Sequence, residues 1–355
     1  MFEGNTADPK TLAAQITKIK NRFGLSRVCL VGDRGMLTNA RINDELRPAQ
    51  LDWISALRAP QLKTLVEDGA LQLSLFDEQN LFEITHPDYP GERLVCCHNP
   101  ALAEERARKR GELLAATENQ LQTIAEATRR ARRPLRGTDK IGLRVGTVRN
   151  KFKMAKHFDL HITDEAFTFT RNQEAIAAEA ALDGIYVLRT SLPERALGRD
   201  EVVGRYKDLA DVERFFRTLN SELDVRPIRH RLADRVRAHM FLRMLSYYIS
   251  WHMKQALAPI LFQDNDKPAA AAKRADPVAP AQRSDEALTK AARKRTEDDT
   301  PVHSFTSLIT DLATICANYI QPTDDLPAFT KTTTPTPLQR RAFDLLDVSH
   351  RHGLP

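Results

Sequence analysis

Residues 27–36 read RVCLVGDRGM, and this stretch decides the fold class. Val28, Cys29, Leu30 and Val31 make an apolar run of strand length, and Gly32 and Gly35 let the chain turn sharply after it. Upstream, residues 9–23 (PKTLAAQITKIKNRF) open on Pro9 after Asp8, a cap followed by a first-turn proline. Apolar residues recur at Leu12, Ile16 and Ile19, which predicts a helix ending near Gly24. Downstream, residues 38–46 predict a second helix and residues 51–57 a second short strand. Helix, strand, helix and strand in that order predict an α/β sheet with parallel neighbours. Asp33 then sits at the carboxyl end of a buried strand, where such sheets handle ligands. By position alone, a cap on the following turn explains it equally well.

From about residue 60 the rhythm changes. Residues 81–85 and 93–98 predict paired strands around the turn Pro87-Asp88-Tyr89-Pro90-Gly91, and residues 101–133 a long helix without internal proline. Strands are predicted at 157–163, 166–170 and 184–190, and a second helical region over 200–257, broken near Arg226-Pro227. Residues 264–301, rich in Ala, Lys, Asp and Pro and without periodicity, predict a disordered linker. A short helix near 304–319 and a loose Thr/Pro-rich tail complete the chain. The expected domains are 1–59, 60–200, 201–258, a linker over 259–302, and 303–355.

At 355 residues a sizeable core is available. Lys and Arg outnumber Asp and Glu by 53 to 47, giving a net charge of +6, which permits an anionic partner such as nucleic acid. The four cysteines, Cys29, Cys96, Cys97 and Cys316, have no zinc-ligand spacing and read as reduced thiols. The N-terminal residues show no basic and apolar signal pattern. The longest apolar stretch, residues 240–258, is interrupted by Arg243, His252 and Lys254 and reads as an amphipathic or buried helix. A soluble, cytoplasmic protein that does not engage a membrane is expected. No G-x-x-x-x-G-K-[ST] loop and no G-x-S-x-G elbow occurs, so nucleotidase and serine-hydrolase chemistry have no support.

Glu213 lies in residues 205–223, RYKDLADVERFFRTLNSEL, among Val212, Phe215 and Phe216. Tyr206, Leu209, Glu213, Arg217 and Asn220 fall at offsets that share one helical face. The plain reading is an ion pair from Glu213 to Arg214 or Arg217. A half-buried glutamate fits better when a metal ion balances its charge.

Three motifs in order, FEGNTAD, VCLVGDRGM and YKDLADVERFFRTLNSELDVRPIRHR, resemble those of insertion-sequence transposases with a Tyr-Arg-Glu-Lys signature, members of the IS4-like DDE group. The resemblance runs from Met1 to about Ala258. It implies an RNase H-like catalytic core, incomplete because its first strands are missing, with a strand-rich insertion domain and a helical C-terminal region. It implies Asp33 as the second and Glu213 as the third catalytic and metal-holding carboxylate. The first Asp of the family lies before FEGNTAD, so an N-terminally truncated chain is expected. The signature Arg and Lys are replaced by Leu209 and Asn220, whereas Tyr206 and Glu213 are kept. Arg217, one turn from Glu213, stands as a phosphate contact in their place.

The resemblance implies cleavage and transfer of DNA strands with two Mg²⁺ ions, Mn²⁺ substituting, held by hard carboxylate oxygens. With one ligand missing, the truncated chain is expected to be inactive; the alternative is a non-catalytic DNA-binding remnant. The expected partner is double-stranded DNA, both transposon ends and target, with a homodimer assembling on it. Residues 140–156 (KIGLRVGTVRNKFKMAK) carry Lys140, Arg144, Arg149, Lys151, Lys153 and Lys156 and no acid, which favours backbone binding over a merely solvated face. Gly142 and Gly146 are expected to let the backbone approach a phosphate. Arg226, Arg229, His230 and Arg231 form a second candidate, with Asp224 and Asp234 near enough to neutralise them. A third and weaker one is Arg129 to Arg133 at the end of the long helix. Asp183 reads as turn chemistry, and His230 and His239 lack a second ligand at metal spacing.

Overall fold

The computed structural model describes residues 6, 8–25, 27–274, 276–296, 298–323 and 325–348. Most of FEGNTAD lies outside them. The chain divides into two compact bodies. The first comprises residues 2–207 with a strap, Asp276–Pro280, and the second the rest from Asp208 onward.

The first body begins with helix α1 (Leu12–Thr17), preceded by a 3-10 turn and followed by a π-helical turn. Strand β1 (Cys29–Val31) leads to α2 (Asn39–Arg41), which runs on as a π-helical turn to Leu46. The Thr38 side chain caps α2 by accepting from the Arg41 amide. Strand β2 (Asp52–Ala56) pairs parallel to β1 with Leu30 opposite Trp53. Leu12, Ile16, Leu37, Ile42, Leu46, Leu51 and Trp53 form one buried cluster, so the apolar faces of both helices are spent on this strand pair. The predicted helix–strand–helix–strand order is present here.

After α3 (Ala59–Glu67) come strands β3 (Leu81–Ile84) and β4 (Arg93–His98), then helix α4 (Pro100–Arg129). A helical hairpin partner α5 (Thr138–Phe152), strands β5 (Phe158–Ile162) and β6 (Phe167–Arg171), and α6 (Gln173–Ala180) follow. Strand β7 (Ile185–Thr190) and α7 (Arg199–Lys207) finish the body. The sheet order is β1-β2-β7-β4-β3, parallel only between β1 and β2. The region expected as a separate insertion therefore extends the core sheet. Its strands β4 and β7 are buried on both faces: Leu94 and Cys96 enter one apolar cluster, and Val95 and Cys97 the other.

Helix α4 is long because Asn99 caps it, Pro100 opens it, and nothing breaks it before residue 130. Leu114, Thr117, Leu121, Ile124 and Thr128 recur at three and four residues and form its buried stripe. That stripe packs with Ile141, Val145 and Val148 of α5 and with Phe158 and Phe167 of the β5–β6 hairpin. Residues 140–152, read as a glycine-loosened basic segment, are thus helix. Gly142 and Gly146 lie inside it, where backbone amides are engaged in the helix and do not face a phosphate.

Gly184 shows where a glycine is required. Its φ is +74°, and a Cβ there would lie 2.5 Å from the carbonyl oxygen of Asn99, so the turn entering β7 admits no side chain.

The second body holds α8 (Leu209–Ser221), α9 (Ala233–Ala256), α10 (Lys267–Ala272), α11 (Asp285–Arg293), α12 (Phe305–Leu312), the hairpin β8 (Ala317–Ile320) with β9 (Phe329–Thr332), and α13 (Pro337–Leu346). The break near Arg226-Pro227 separates α8 from α9 as the sequence indicates. Where composition predicted a disordered linker, residues 259–302 contain two helices. Ser284 caps α11 and donates to Asp264 Oδ1 at 2.7 Å. Lys290 is buried and donates to Ala258 O and Asn265 Oδ1. The tail expected to be loose packs Ala342 of α13 into a buried cluster with Leu257, Ile260, Leu261 and Leu308 of α12. Among the described residues no helix is long and apolar enough to cross a membrane.

Candidate active site

Asp33 is exposed and stands two residues beyond β1, at its carboxyl end. Its Oδ1 accepts the amides of Gly35 at 3.0 Å and Met36 at 2.7 Å, so the turn-capping role is occupied by one oxygen. Oδ2 has no hydrogen-bond partner among the described residues. The turn itself is fixed from three sides. The Gly32 amide donates to Ile54 O, the Leu37 amide to Asp33 O, and Arg58 donates through Nε and a terminal nitrogen to Arg34 O at 3.2 and 3.1 Å. Arg58 is a positioning residue that sequence reading missed, because nothing in the chain marks a residue twenty-four positions away as the clamp on this loop.

Glu213 lies on α8 and is exposed, not half-buried as its apolar neighbours led us to expect. Val212 and Phe216 are themselves exposed, which removes the basis for that burial. The ion pair that would make Glu213 ordinary is absent among the described residues. Arg214 pairs with Asp211 at 2.7 Å instead, and Arg217 has no side-chain partner there. Tyr206 belongs to α7 and packs partly buried against the sheet cluster of the first body. A turn residue, Asp208, separates α7 from α8, so the helical face drawn through 206–220 is continuous only from Leu209 to Asn220. Asp33 and Tyr206 thus lie in the first body, and Glu213 and Arg217 in the second.

On α5, Lys140, Arg144 and Lys151 fall on one flank of the buried Ile141–Val145–Val148 stripe, and Arg149 on the other. All six basic residues of the segment are exposed, and Lys153 takes the left-handed conformation that ends the helix. Lys156 is compensated after all: it pairs with Glu179, which burial pushes up but which Lys156 and His157 hold below the usual carboxylate range. Asp183 is bound by Arg110 through two hydrogen bonds, at 2.9 and 2.5 Å, an anchor between α4 and the turn before β7. Asp234 pairs with Arg237, leaving Arg231 without that partner.

Residues 1–249 match the family described as Transposase DDE domain. The chain belongs to that family. No curated protein and no solved structure matches it. Membership makes this DDE transposase a polynucleotidyl transferase by family, with DNA transposition as the family's function and divalent metal as its usual requirement. The donor set suits such an ion, since Mg²⁺ and Mn²⁺ take hard oxygen ligands and both Asp33 Oδ2 and the Glu213 carboxylate are oxygens without a partner among the described residues. Among the described residues no three His, Cys, Asp or Glu side chains are grouped to hold a metal. The fit is therefore one of donor chemistry.

Proposed function

We propose that this DDE transposase is of the insertion-sequence type with the Tyr-Arg-Glu-Lys signature, and that Asp33 and Glu213 are its metal-holding carboxylates on this chain. When bound, Mg²⁺ would neutralise charge on the attacking and leaving oxygens of the phosphodiester. Asp33 is suited to a ligand role because its loop is held by backbone hydrogen bonds and by Arg58, leaving one carboxylate oxygen uncommitted. Glu213 is suited because, among the described residues, neither Arg214 nor Arg217 pairs with it. Arg217 supplies a cation one helical turn away for a phosphate, and Tyr206 a hydroxyl at the start of the signature. Lys140, Arg144, Lys151 and Lys153, with Arg149 and Lys156 at the margins, hold the DNA backbone.

The single observation carrying the reading is the Asp33 carboxylate oxygen without a partner among the described residues, at the carboxyl end of β1 in its parallel pair with β2, in a chain of this family. Two carboxylates hold two ions less well than three, so we infer that residues 1–355 by themselves do not cleave element ends. The test has two arms. Mn²⁺ binding followed by electron paramagnetic resonance should weaken at least tenfold in Asp33→Asn and in Glu213→Gln; unchanged binding in both overturns the site. A strand-cleavage assay on element-end duplex with Mg²⁺ or Mn²⁺ should show no product, and metal-dependent product overturns the inactivity.

A further inference from the structure

Positive charge in this chain is concentrated in one place. Residues 129–156 hold eleven Lys and Arg against the single acid Asp139, a net of +10. The whole chain carries +6, so everything outside those twenty-eight residues is net acidic, at −4. These residues are the tip and second arm of the α4–α5 hairpin. Residues 140–156 belong to the DNA surface already proposed. The tip, Arg129-Arg130-Ala131-Arg132-Arg133, which the sequence marks only as a weaker candidate, lies outside that surface.

Solvation of an ordinary helix end is the competing explanation, and the rest of α4 argues against it. In its first half three of the four bases, all but Arg106, are matched: Lys109 with Glu105, Arg108 with Glu112, and Arg110 with Asp183. At the tip, Arg129, Arg130, Arg132 and Arg133 are all exposed and none has an acidic partner among the described residues. Of the acids on the second half of α4, Glu126 is engaged with Gln122 and Glu118 with Arg171. The favourable field of a helix C-terminus accounts for one or two such cations within the last turn, not for four that continue beyond it.

The loop is also held in shape. Leu135 donates its amide to Ala127 O at 2.8 Å, closing the reversal onto the last turn of α4. Arg136 stitches the loop from below, donating to Thr128 O at 2.5 Å and to Glu165 O. Arg133 makes the reversal in the left-handed region at φ +50°, where an arginine is uncommon, and Pro134 follows it. The four guanidinium groups thus project from a braced turn, which lowers the entropy lost when they grip a ligand. Guanidinium forks match phosphate oxygens in pairs. From the tip the flank Lys140–Arg144–Lys151 carries the same charge along α5 for roughly 16 Å at the helical rise, about five phosphates of one strand.

We propose that Arg129, Arg130, Arg132 and Arg133 form a second phosphate-binding site, a clamp at the hairpin tip that holds the backbone of duplex DNA without reading its sequence. This rests on the transposase reading for its ligand but not on the carboxylates: it needs no metal and neither Asp33 nor Glu213. The clamp adds affinity for any duplex, target DNA included, through release of counterions from the phosphates it covers.

The test is binding of the full chain to a labelled thirty-base-pair duplex of arbitrary sequence, in chelator, across a salt series. The variant R129Q/R130Q/R132Q/R133Q removes the clamp, and Arg108→Gln, an ion-paired arginine on the same helix, is the control. Circular dichroism and a thermal melt confirm that the exposed substitutions leave the fold intact. The clamp variant should lose at least tenfold in affinity at low salt, and its slope of log affinity against log salt should flatten by up to about 3.6. Arg108→Gln should change neither. A slope within half a unit of the parent's overturns the clamp, and so does an equal loss in the control. Tighter binding to single strands or to RNA of equal length, lost in the same variant, overturns the duplex assignment. Glu213→Gln measured alongside should bind as the parent does, which keeps failure of the clamp separate from failure of the catalytic site.

Discussion

The carboxylate of Glu92 is fully buried and is gripped by the guanidinium of Arg189 through two hydrogen bonds of 2.6 Å each. Arg47 adds a third at 2.7 Å, and the Trp53 indole a fourth at 3.3 Å. The two arginines stack at 4.9 Å on Tyr89 and Trp53 respectively. This cluster joins the strand pair β1–β2 to the strands added beside it, and so supports the sheet from which the Asp33 loop projects. Replacing Glu92 with Ala leaves a buried guanidinium without its counter-charge, expected to cost about 3–5 kcal/mol. The melting temperature should fall by several degrees, and replacing Arg189 with Met in the same chain should recover part of it. A Glu92→Ala chain that melts with the parent contradicts the claim.

Asp33 uses one oxygen for the fold, and the other has no partner among the described residues. Asparagine keeps an acceptor for the Gly35 and Met36 amides but lacks the anionic oxygen. Asp33→Asn should therefore melt within about a degree of the parent and still lose Mn²⁺ binding. Asp33→Ala loses both amide contacts as well, at about 1 kcal/mol each. If Asp33→Asn destabilises as much as Asp33→Ala, the division of labour between the two oxygens is wrong.

The four thiols should differ sharply in reactivity, since the thiolate is the reacting form. Burial pushes the Cys96 thiol up to about 12, with the charge of Glu83 adding to it, and raises Cys97 further still. Burial and the nearby Asp52 carboxylate raise Cys29 to about 11. Cys316 is exposed. At pH 8 a disulfide reagent such as DTNB should label one thiol within minutes in the folded chain and four after unfolding. Fast labelling of two or more in the folded chain would place β4 or β1 differently from the arrangement described.

The strand pair β1–β2 and its two helices were legible because their apolar runs are short, continuous and punctuated by Gly32 and Gly35, and because local pattern alone determines them. Helix α5 was not read as a helix. Gly142 and Gly146 lower its propensity and the bases draw the eye, yet Ile141, Val145 and Val148 at offsets of four and three carried the signal. Order in residues 264–301 had only short local signals, the caps Asp266 with Pro268 and Ser284; the rest comes from Val278 entering the sheet cluster and from Lys290 being buried against Ala258 O and Asn265 Oδ1, contacts with residues far away in the chain. At the candidate site, the sequence supplied Asp33 and Glu213 through ordered motifs. It misjudged the surroundings of Glu213, since burial of Val212 and Phe216 depends on what packs over α8 and not on their spacing.

The strap of residues 276–280 supplies a last expectation, in acid. Val278 is buried in the first body; its carbonyl accepts from Lys207 Nζ at 3.0 Å and from Asn99 Nδ2 at 3.3 Å. Asp276 shapes the turn by accepting the amides of Val278 and Ala279 at 2.8 Å each, while its other oxygen accepts from Asn80 at 2.9 Å. Burial pushes this carboxyl up, but the hydrogen bonds from Asn80 and the two amides, with the charge of Lys207, outweigh it and hold it below the ordinary carboxylate range. A carboxyl lowered on folding contributes stability that is fully present above its unfolded value, near 3.9, and that is lost as pH falls through the folded value. The strap should therefore be indifferent to pH between about 5 and 8 and loosen only in stronger acid. Asp276→Asn keeps an acceptor for the two amides and removes the titration. Between pH 5 and pH 3 the melting temperature of the parent should fall further than that of Asp276→Asn, with amide exchange at Val278 and Ala279 rising in parallel in the parent. Parallel melting profiles for the two proteins across that interval would show that Asp276 does not hold the strap through its charge.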